Sequence, residues 1–420
     1  MKRVRPDAMK KKILFVINTM GRAGAEKCLL SMLRYMDREK YDISLFSVIN
    51  RGELFSLVPK GVKVLNENPC TKSVLDKTAK RALARLILKN GLKKGYFLKE
   101  SGYLRTMAAY QRNHKGLDFK KLFWKLLSDH AKRQEETYDL AVAYIQGAST
   151  YYVMDHVKAK KKIAFLHTEF LDSGYCPELD KKYYEKADAI YCVSKSIRSH
   201  LAQVFPEFAG KMNVFYNMLN REEIEEKALL VDESTRVVLK EMEKKKKDGE
   251  ILLLTAASLV PVKAYDLAVP ALSLVRKQGY QVTWYVLGEG TERDSIQKLI
   301  KEYGLEKNFL LLGAADNPYP YMRACDIYVQ PSRYEGCCTS ISEAVILNKP
   351  VIASDCDGNK EQLNRYETGI LVKLTAEGIA EGIIQAISDE ELCKELVKKA
   401  NLSGLEPDKA LSEIYGFLEK

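Results

Sequence analysis

The 420-residue sequence predicts an α/β protein of two doubly wound Rossmann-like domains facing across a cleft, with a C-terminal helix crossing back to the first domain. Three observations predict it. Short apolar runs alternate with helical patterns through most of the chain, the signature of parallel sheets. The alternation breaks once, between Asn217 and about Gly249, in a charged stretch holding Lys244, Lys245, Lys246 and Lys247, which puts the domain change near 218–220. At 46% hydrophobic, the chain has material for two such domains and not three.

Strand-like runs in the first half fall at 13–18, 43–48, 62–65, 140–145, 163–167, 189–193 and 214–216. Those of the second half fall at 251–256, 282–287, 309–312, 327–329, 351–353 and 370–372. Helical patterns fill the gaps at 24–35, 194–204, 265–278 and 293–303, and the tail reads as helices 375–388, 389–399 and 408–420. The expected domains are 1–218, joined by the helix 405–420, and 219–404.

Composition removes several classes. The longest apolar runs, such as 13–17, are far too short to cross a bilayer, and the basic start is no signal-peptide core. Met9 before three lysines reads as a start, with residues 1–8 as a tail. Nine scattered cysteines without a C-x-x-C pair read as reduced thiols of a cytosolic protein, and no spacing suggests a metal site. The net charge of +11 is concentrated in 71–134, where seventeen Lys/Arg meet four Asp/Glu. That segment therefore carries +13 and the remainder −2. It mixes the charge with apolar residues, and 82–88 and 122–127 read as amphipathic helices. Such faces bind anionic membrane surfaces, the alternative being a soluble insertion with a charged outer face. No nucleic-acid module accompanies the charge, so nucleic acid is not an expected partner.

The segment 331–344 says most about chemistry. Glu335 and Glu343 lie eight positions apart around the small polar turn Gly336-Cys337-Cys338-Thr339, directly after the strand-like run 327–329. Strand, loop and helix in this order place both acids at a sheet's carboxyl edge, where ligands of open α/β sheets bind. One acid sits in the loop and the other in the first helical turn, suited to gripping two hydroxyl-rich parts of one ligand. Ser340 and Glu343 also read as a capping box, which needs no ligand.

Five further strand ends carry candidate residues. The loop holding Gly21, Gly24 and Glu26 follows the first strand, but lacks the spacing of a dinucleotide fingerprint or a P-loop. Ser258 and Lys263 follow the run 251–256, and a lysine just before a helix suits a phosphate, although surface lysines are commonly just solvated. Gly288 and Asn317 lie beyond the next two strands, and His167 ends the run 163–167.

With these stretches (21–26, 257–266, 287–293, 317–322 and 326–355) the chain resembles the family-4 retaining glycosyltransferases of the two-domain GT-B type, within glycosyl transferases group 1. The resemblance implies a nucleotide-sugar donor, such as a UDP- or GDP-sugar, bound mainly by the second domain, without a separate cofactor or metal. It implies that Glu343 accepts ribose hydroxyls, Glu335 lies beside the transferred sugar, and the amides of 336–339 approach sugar and phosphate. Lys263 would neutralise the diphosphate, Gly288, Asn317 and Ser258 would line the donor, and Gly21 and Gly24 would meet phosphate and acceptor. His167 would lie near the donor sugar as a catalytic residue. The implied activity is metal-independent, retaining hexosyl transfer to a glycan or lipid-linked saccharide in bacterial cell-surface polysaccharide synthesis, on the cytoplasmic face of the membrane. A nucleotide-sugar epimerase and a weakly active binding partner remain alternatives. One departure stands out: Ala257-Ser258 replaces the family's Gly-Arg, so a cation is missing from the phosphate side.

Overall fold

The computed structural model describes residues 10–74, 77–91, 95–113, 123–171, 173–405 and 407–419. The expected tail 1–8 lies outside them, as do positions 75–76, 92–94 and 114–122 of the basic segment. The chain divides into two compact units, Met1–Met218 with Glu406–Lys420, and Leu219–Leu405.

The first unit holds seven strands: β1 (Lys11–Ile17), β2 (Tyr41–Ser47), β3 (Lys63–Val64), β4 (Thr137–Ala143), β5 (Lys158–Leu166), β6 (Ala189–Cys192) and β7 (Met212–Val214). They form one parallel sheet in the order β3-β2-β1-β4-β5-β6-β7. The second unit holds β8 (Ile251–Ala256), β9 (Val282–Leu287), β10 (Phe309–Gly313), β11 (Ile327–Gln330), β12 (Val351–Ser354) and β13 (Ile370–Val372). Their order is β10-β9-β8-β11-β12-β13, again parallel throughout. All thirteen expected strands are present.

Their ends differ where charge masks the pattern. β5 begins at Lys158, five residues before its apolar run, because the ladder to β4 continues through Lys161 and Lys162. An apolar run marks only the buried part of a strand. The central strands β1 and β9 are buried along almost their whole length, as expected where helices cover both faces of a parallel sheet.

The C-terminal helix Pro407–Glu419 belongs to the first unit. Leu411, Ile414 and Leu418 enter the core around Phe15, Tyr41 and Leu140, and Tyr415 stacks on Tyr41 at 4.7 Å. The Tyr415 hydroxyl accepts a bond from the Asp37 amide at 2.9 Å. Lys161 Nζ donates to the Phe417 carbonyl at 2.7 Å, placing a cation at the negative end of the helix.

The basic segment is helical between β3 and β4: Lys77–Gly91, Tyr96–Lys99, Ser101–Asn113 and Phe123–His130. The two stretches read as amphipathic behave differently. Helix Phe123–His130 buries Lys125, Leu126 and Leu127, so its apolar face is consumed by the domain. Asp129 anchors it, accepting from Lys125 Nζ (2.6 Å), Tyr96 Oη (2.6 Å) and His156 Nε2 (2.9 Å). Burial opposes its charge, but these three donors outweigh that and hold the carboxyl well below the usual carboxylate range. Helix Lys77–Gly91 instead leaves Leu86 39% and Leu88 62% exposed.

Ile414 is fully buried, so Ile414→Ala should destabilise the first unit by about 2–5 kcal/mol. Calorimetry should show the first unit's transition falling while that of 219–405 stays in place.

Candidate active site

The second sheet reverses direction between β8 and β11. At such a switch point the crossovers leave on opposite faces, opening a crevice at the strands' carboxyl ends. Two loops flank it, one after β8 and one after β11, and they carry the two most telling residues of the sequence.

Lys263 ends the short turn Pro261–Lys263, and Glu335 lies in the loop that precedes helix Thr339–Ile346. The Lys263 ammonium meets Glu335 Oε1 at 2.6 Å, with both side chains largely withdrawn from solvent. Ser332 Oγ donates to the same oxygen at 2.6 Å and Gln330 Nε2 at 3.0 Å. Gln330 is aligned in turn by the Tyr328 hydroxyl, which donates to its Oε1 at 2.7 Å. Three donors therefore converge on Oε1, and Oε2 accepts no hydrogen bond among the described residues. Burial works against the Lys263 charge, but the Glu335 carboxylate outweighs it and raises the ammonium pKa.

Glu343 is 1% exposed and accepts from the Tyr319 hydroxyl at 3.1 Å. The capping box does not form. The helix begins at Thr339 with Cys338 as an unassisted N-cap, and Ser340, already inside the first turn, donates to the Ala256 carbonyl at 2.8 Å. The N-cap lies two residues earlier than the S-x-x-E spacing suggested, at Cys338 instead of Ser340.

Other expected site residues have structural partners. The Cys338 amide donates to Gln362 Oε1 at 2.9 Å, and Gln362 Nε2 returns a bond to the Cys338 carbonyl at 2.7 Å. Of the loop 336–339, Cys338 is thus held from behind, while Cys337 and Thr339 are partly exposed and Gly336 is buried. Asn317 directs its amide to the Lys227 and Leu230 carbonyls and accepts from the Tyr319 amide, bracing the segment that delivers Tyr319. Gly288 packs against backbone, for a Cβ there would lie 1.9 Å from the Ala257 carbonyl oxygen. Ser258 is exposed on the same loop.

Sequence reasoning missed Gln330, Ser332, Tyr319, Gln362 and Gly358. Gln330 had a visible signal, a polar residue closing a buried strand. Gly358 sits where a Cβ would be 2.0 Å from the Glu335 carbonyl oxygen, so helix Asp357–Tyr366 starts directly against the Glu335 backbone.

In the first unit Gly21 lies in the loop after β1, where a Cβ would press on Val74, and Gly24 opens helix Gly24–Tyr35. The loop is fastened by Gly52, whose missing Cβ would overlap Met20, and by the Met20 amide bonded to the Arg51 carbonyl. Glu26 is buried beneath it. One carboxyl oxygen accepts from Thr19 at 3.1 Å and the other has no partner among the described residues. Burial, against the help of hydrogen bonds, pushes its pKa up to about 7. His167 follows β5 with its ring 4.9 Å from that of Tyr144 and its Nε2 buried without a partner among the described residues. Burial, partly offset by a bond to the Tyr144 backbone, brings its pKa down to about 4, so the ring is neutral at physiological pH. Although no spacing suggested a metal group, folding gathers Asp129, Asp155 and His156 in this unit. Lys125, Lys186 and Tyr96 already occupy the carboxylates as ion-pair or hydroxyl partners.

Residues 239–402 match the family described as Glycosyl transferases group 1. An N-acetylgalactosaminyltransferase of Campylobacter jejuni, named for the acceptor N-acetylgalactosamine-N,N'-diacetylbacillosaminyl-diphospho-undecaprenol, is 30% identical over 219 residues, which are 52% of this chain and 55% of that protein. The poly(ribitol-phosphate) alpha-N-acetylglucosaminyltransferase of Staphylococcus aureus is 31% identical over 34% of this chain and 29% of its own length. The chain thus spans about half, or less, of the curated relatives it matches. Anabaena HepE, solved in complex with UDP, shares the fold with a TM-score of 0.65 at 17% identity, over 97% of this chain and 99% of that one.

Two measurements probe these sites. Gly358→Ala should destabilise the second unit by about 1–3 kcal/mol through overpacking, despite alanine's better helix propensity, and denaturant unfolding reads it directly. The Glu26 carboxyl has a folded pKa of about 7 against an ordinary 4.5, so the folded state favours its neutral form. Its stabilising contribution is complete below pH 4.5 and is lost as the pH rises through 7. Glu26→Gln should therefore raise the first unit's stability at pH 8, by up to ~3 kcal/mol, and change little at pH 4.

Proposed function

Taking the glycosyl transferases group 1 domain at 239–402 as the premise, we propose that this chain is a retaining, metal-independent glycosyltransferase. It moves a sugar from a UDP- or GDP-sugar to a glycan or lipid-linked saccharide in bacterial cell-surface polysaccharide synthesis. The observation that carries the reading is the meeting of Lys263 and Glu335 across the switch point, with Glu343 buried eight residues on. A nucleoside diphosphate needs a cation beside its phosphates and an acceptor for its ribose hydroxyls, and these residues provide both.

Chemistry follows from the charges. Departure of the diphosphate leaves negative charge on phosphate and positive character at the anomeric carbon. Lys263 stabilises the first, together with the loop at 336–339 and the N-terminus of helix Thr339–Ile346. Glu335 Oε2, without a hydrogen-bond partner among the described residues, faces the reacting sugar as an acceptor of its hydroxyls and as a negative charge near the developing cation. In our reading the leaving phosphate helps remove the acceptor proton, giving retention by front-face substitution. Within the first unit itself, neutral His167, whose Nε2 has no partner among the described residues, and the loop at Gly21 and Gly24 are its candidate sugar- and phosphate-facing groups. Gly288 and Asn317 act as wall and brace rather than as ligand contacts.

The lipid-linked acceptor is favoured by the Campylobacter relative, whose name specifies a diphospho-undecaprenol acceptor. Exposed Leu86 and Leu88 beside Arg81, Arg85 and Lys89 suit peripheral attachment to an anionic membrane on its cytoplasmic face. None of the described helices is long and apolar enough to cross a membrane.

Radiolabelled transfer from a panel of UDP- and GDP-sugars to membrane lipid tests the proposal. Transfer supports it. Donor isomerisation without acceptor would make the chain an epimerase, and binding without turnover a regulatory partner, the outcome that Ser258 in place of a cation would explain. Glu343→Gln should weaken UDP binding by about tenfold, the worth of one hydrogen bond to a charged acceptor, and unchanged affinity by calorimetry would remove its ribose role. Neutralising Arg81, Arg85 and Lys89 should reduce flotation with anionic vesicles, while equal flotation would sink the membrane contact.

A further inference from the structure

The two loops at the switch point are tied twice. The buried tie is Lys263–Glu335. The second lies at the surface, where Arg333 holds Asp266 through a planar pair of bonds, Nη1 to Oδ1 at 2.9 Å and Nη2 to Oδ2 at 2.6 Å. Arg333 also donates from Nη1 to the Pro261 carbonyl at 2.7 Å and from its backbone amide to the Val262 carbonyl at 2.8 Å. One residue of the β11 loop thus grips three successive parts of the β8 loop: Pro261, Val262 and the first turn of helix Tyr265–Lys277.

The gripped turn is strained. Ala264, fully buried, has φ of +53°, a left-handed conformation that is sterically unfavourable for alanine. Such conformations persist only where surrounding structure over-determines them. The Lys263–Glu335 bond helps to do so. A diphosphate bound to Lys263 competes for that ammonium, and the buried tie weakens just when the turn has to stay in place. The exposed bonds of Arg333 lie outside that competition.

We infer that Arg333 is a positioning residue that keeps Lys263 at the phosphate subsite once the donor has drawn it from Glu335. The inference rests on the proposed donor reading and extends it. Exposed ion pairs add little to stability, and the role of this one is geometric. Its planar fork satisfies Asp266 bidentately while reaching a carbonyl, a pattern lysine cannot reproduce.

The test is a double-mutant cycle in the full chain with Arg333→Gln, Asp266→Asn and the double variant, read by UDP and GDP calorimetry and by amide exchange. Each single variant should weaken nucleotide binding about tenfold, and the double variant no further, because both remove one device. Arg333→Lys should not restore affinity. Exchange at the Lys263 and Ala264 amides, bonded to the Val260 and Pro261 carbonyls, should quicken severalfold in the single variants while the unfolding midpoint of the second unit hardly moves. Affinity within twofold of wild type, fully multiplicative losses, or unchanged exchange would each overturn the inference. Wild-type protein that binds neither nucleotide would overturn the donor reading instead, and the exchange measurement would still decide whether Arg333 holds the turn.

Discussion

The candidate site of the second unit depends on one buried ion pair, Lys263 with Glu335. Removing an ion from water is costly, and a buried pair persists only when its hydrogen-bonding capacity is well matched. Here the match is asymmetric. Gln330 and Ser332 join Lys263 on one carboxylate oxygen, with Gln330 fixed in turn by Tyr328. The other oxygen is left to a ligand. One arrangement therefore both stabilises the loop and presents an acceptor at the crevice.

The sheet explains why such a pair arises there. β8 and β11 are hydrogen-bonded neighbours whose following chains depart to opposite faces. Their loops stay close without sharing any ladder, so side chains must hold them. Gly288 lets the β9 end approach Ala257, and Gly358 lets the next helix begin against Glu335. Small residues mark where backbone meets backbone, and polar side chains mark where loop meets loop.

The first unit illustrates a different constraint. Its basic segment carries more positive charge than the chain's whole net charge, yet its helix Phe123–His130 is fastened by a partly buried carboxylate that gathers a lysine, a tyrosine and a histidine. Periodicity marked that helix as amphipathic without saying which apolar surface would receive its face. The domain core receives it, and the exposed leucines lie instead on helices Lys77–Gly91 (Leu86, Leu88) and Tyr96–Lys99 (Leu98).

The amino-acid order by itself determined the thirteen strands, because short buried segments of a parallel sheet must be apolar along their length. It also determined the loop that carries Glu335 and Glu343, because strand, small polar turn and helix are each written locally. Only the tertiary structure decided what those residues touch. Ser340 turned away from a cap to the Ala256 carbonyl, Asn317 became a brace, and Gln362 took the Cys338 amide. Partners far apart in the chain are chosen by three-dimensional proximity, and local patterns carry no record of it. Lys263 and Glu335 stand seventy-two residues apart, and folding alone brings them within 2.6 Å.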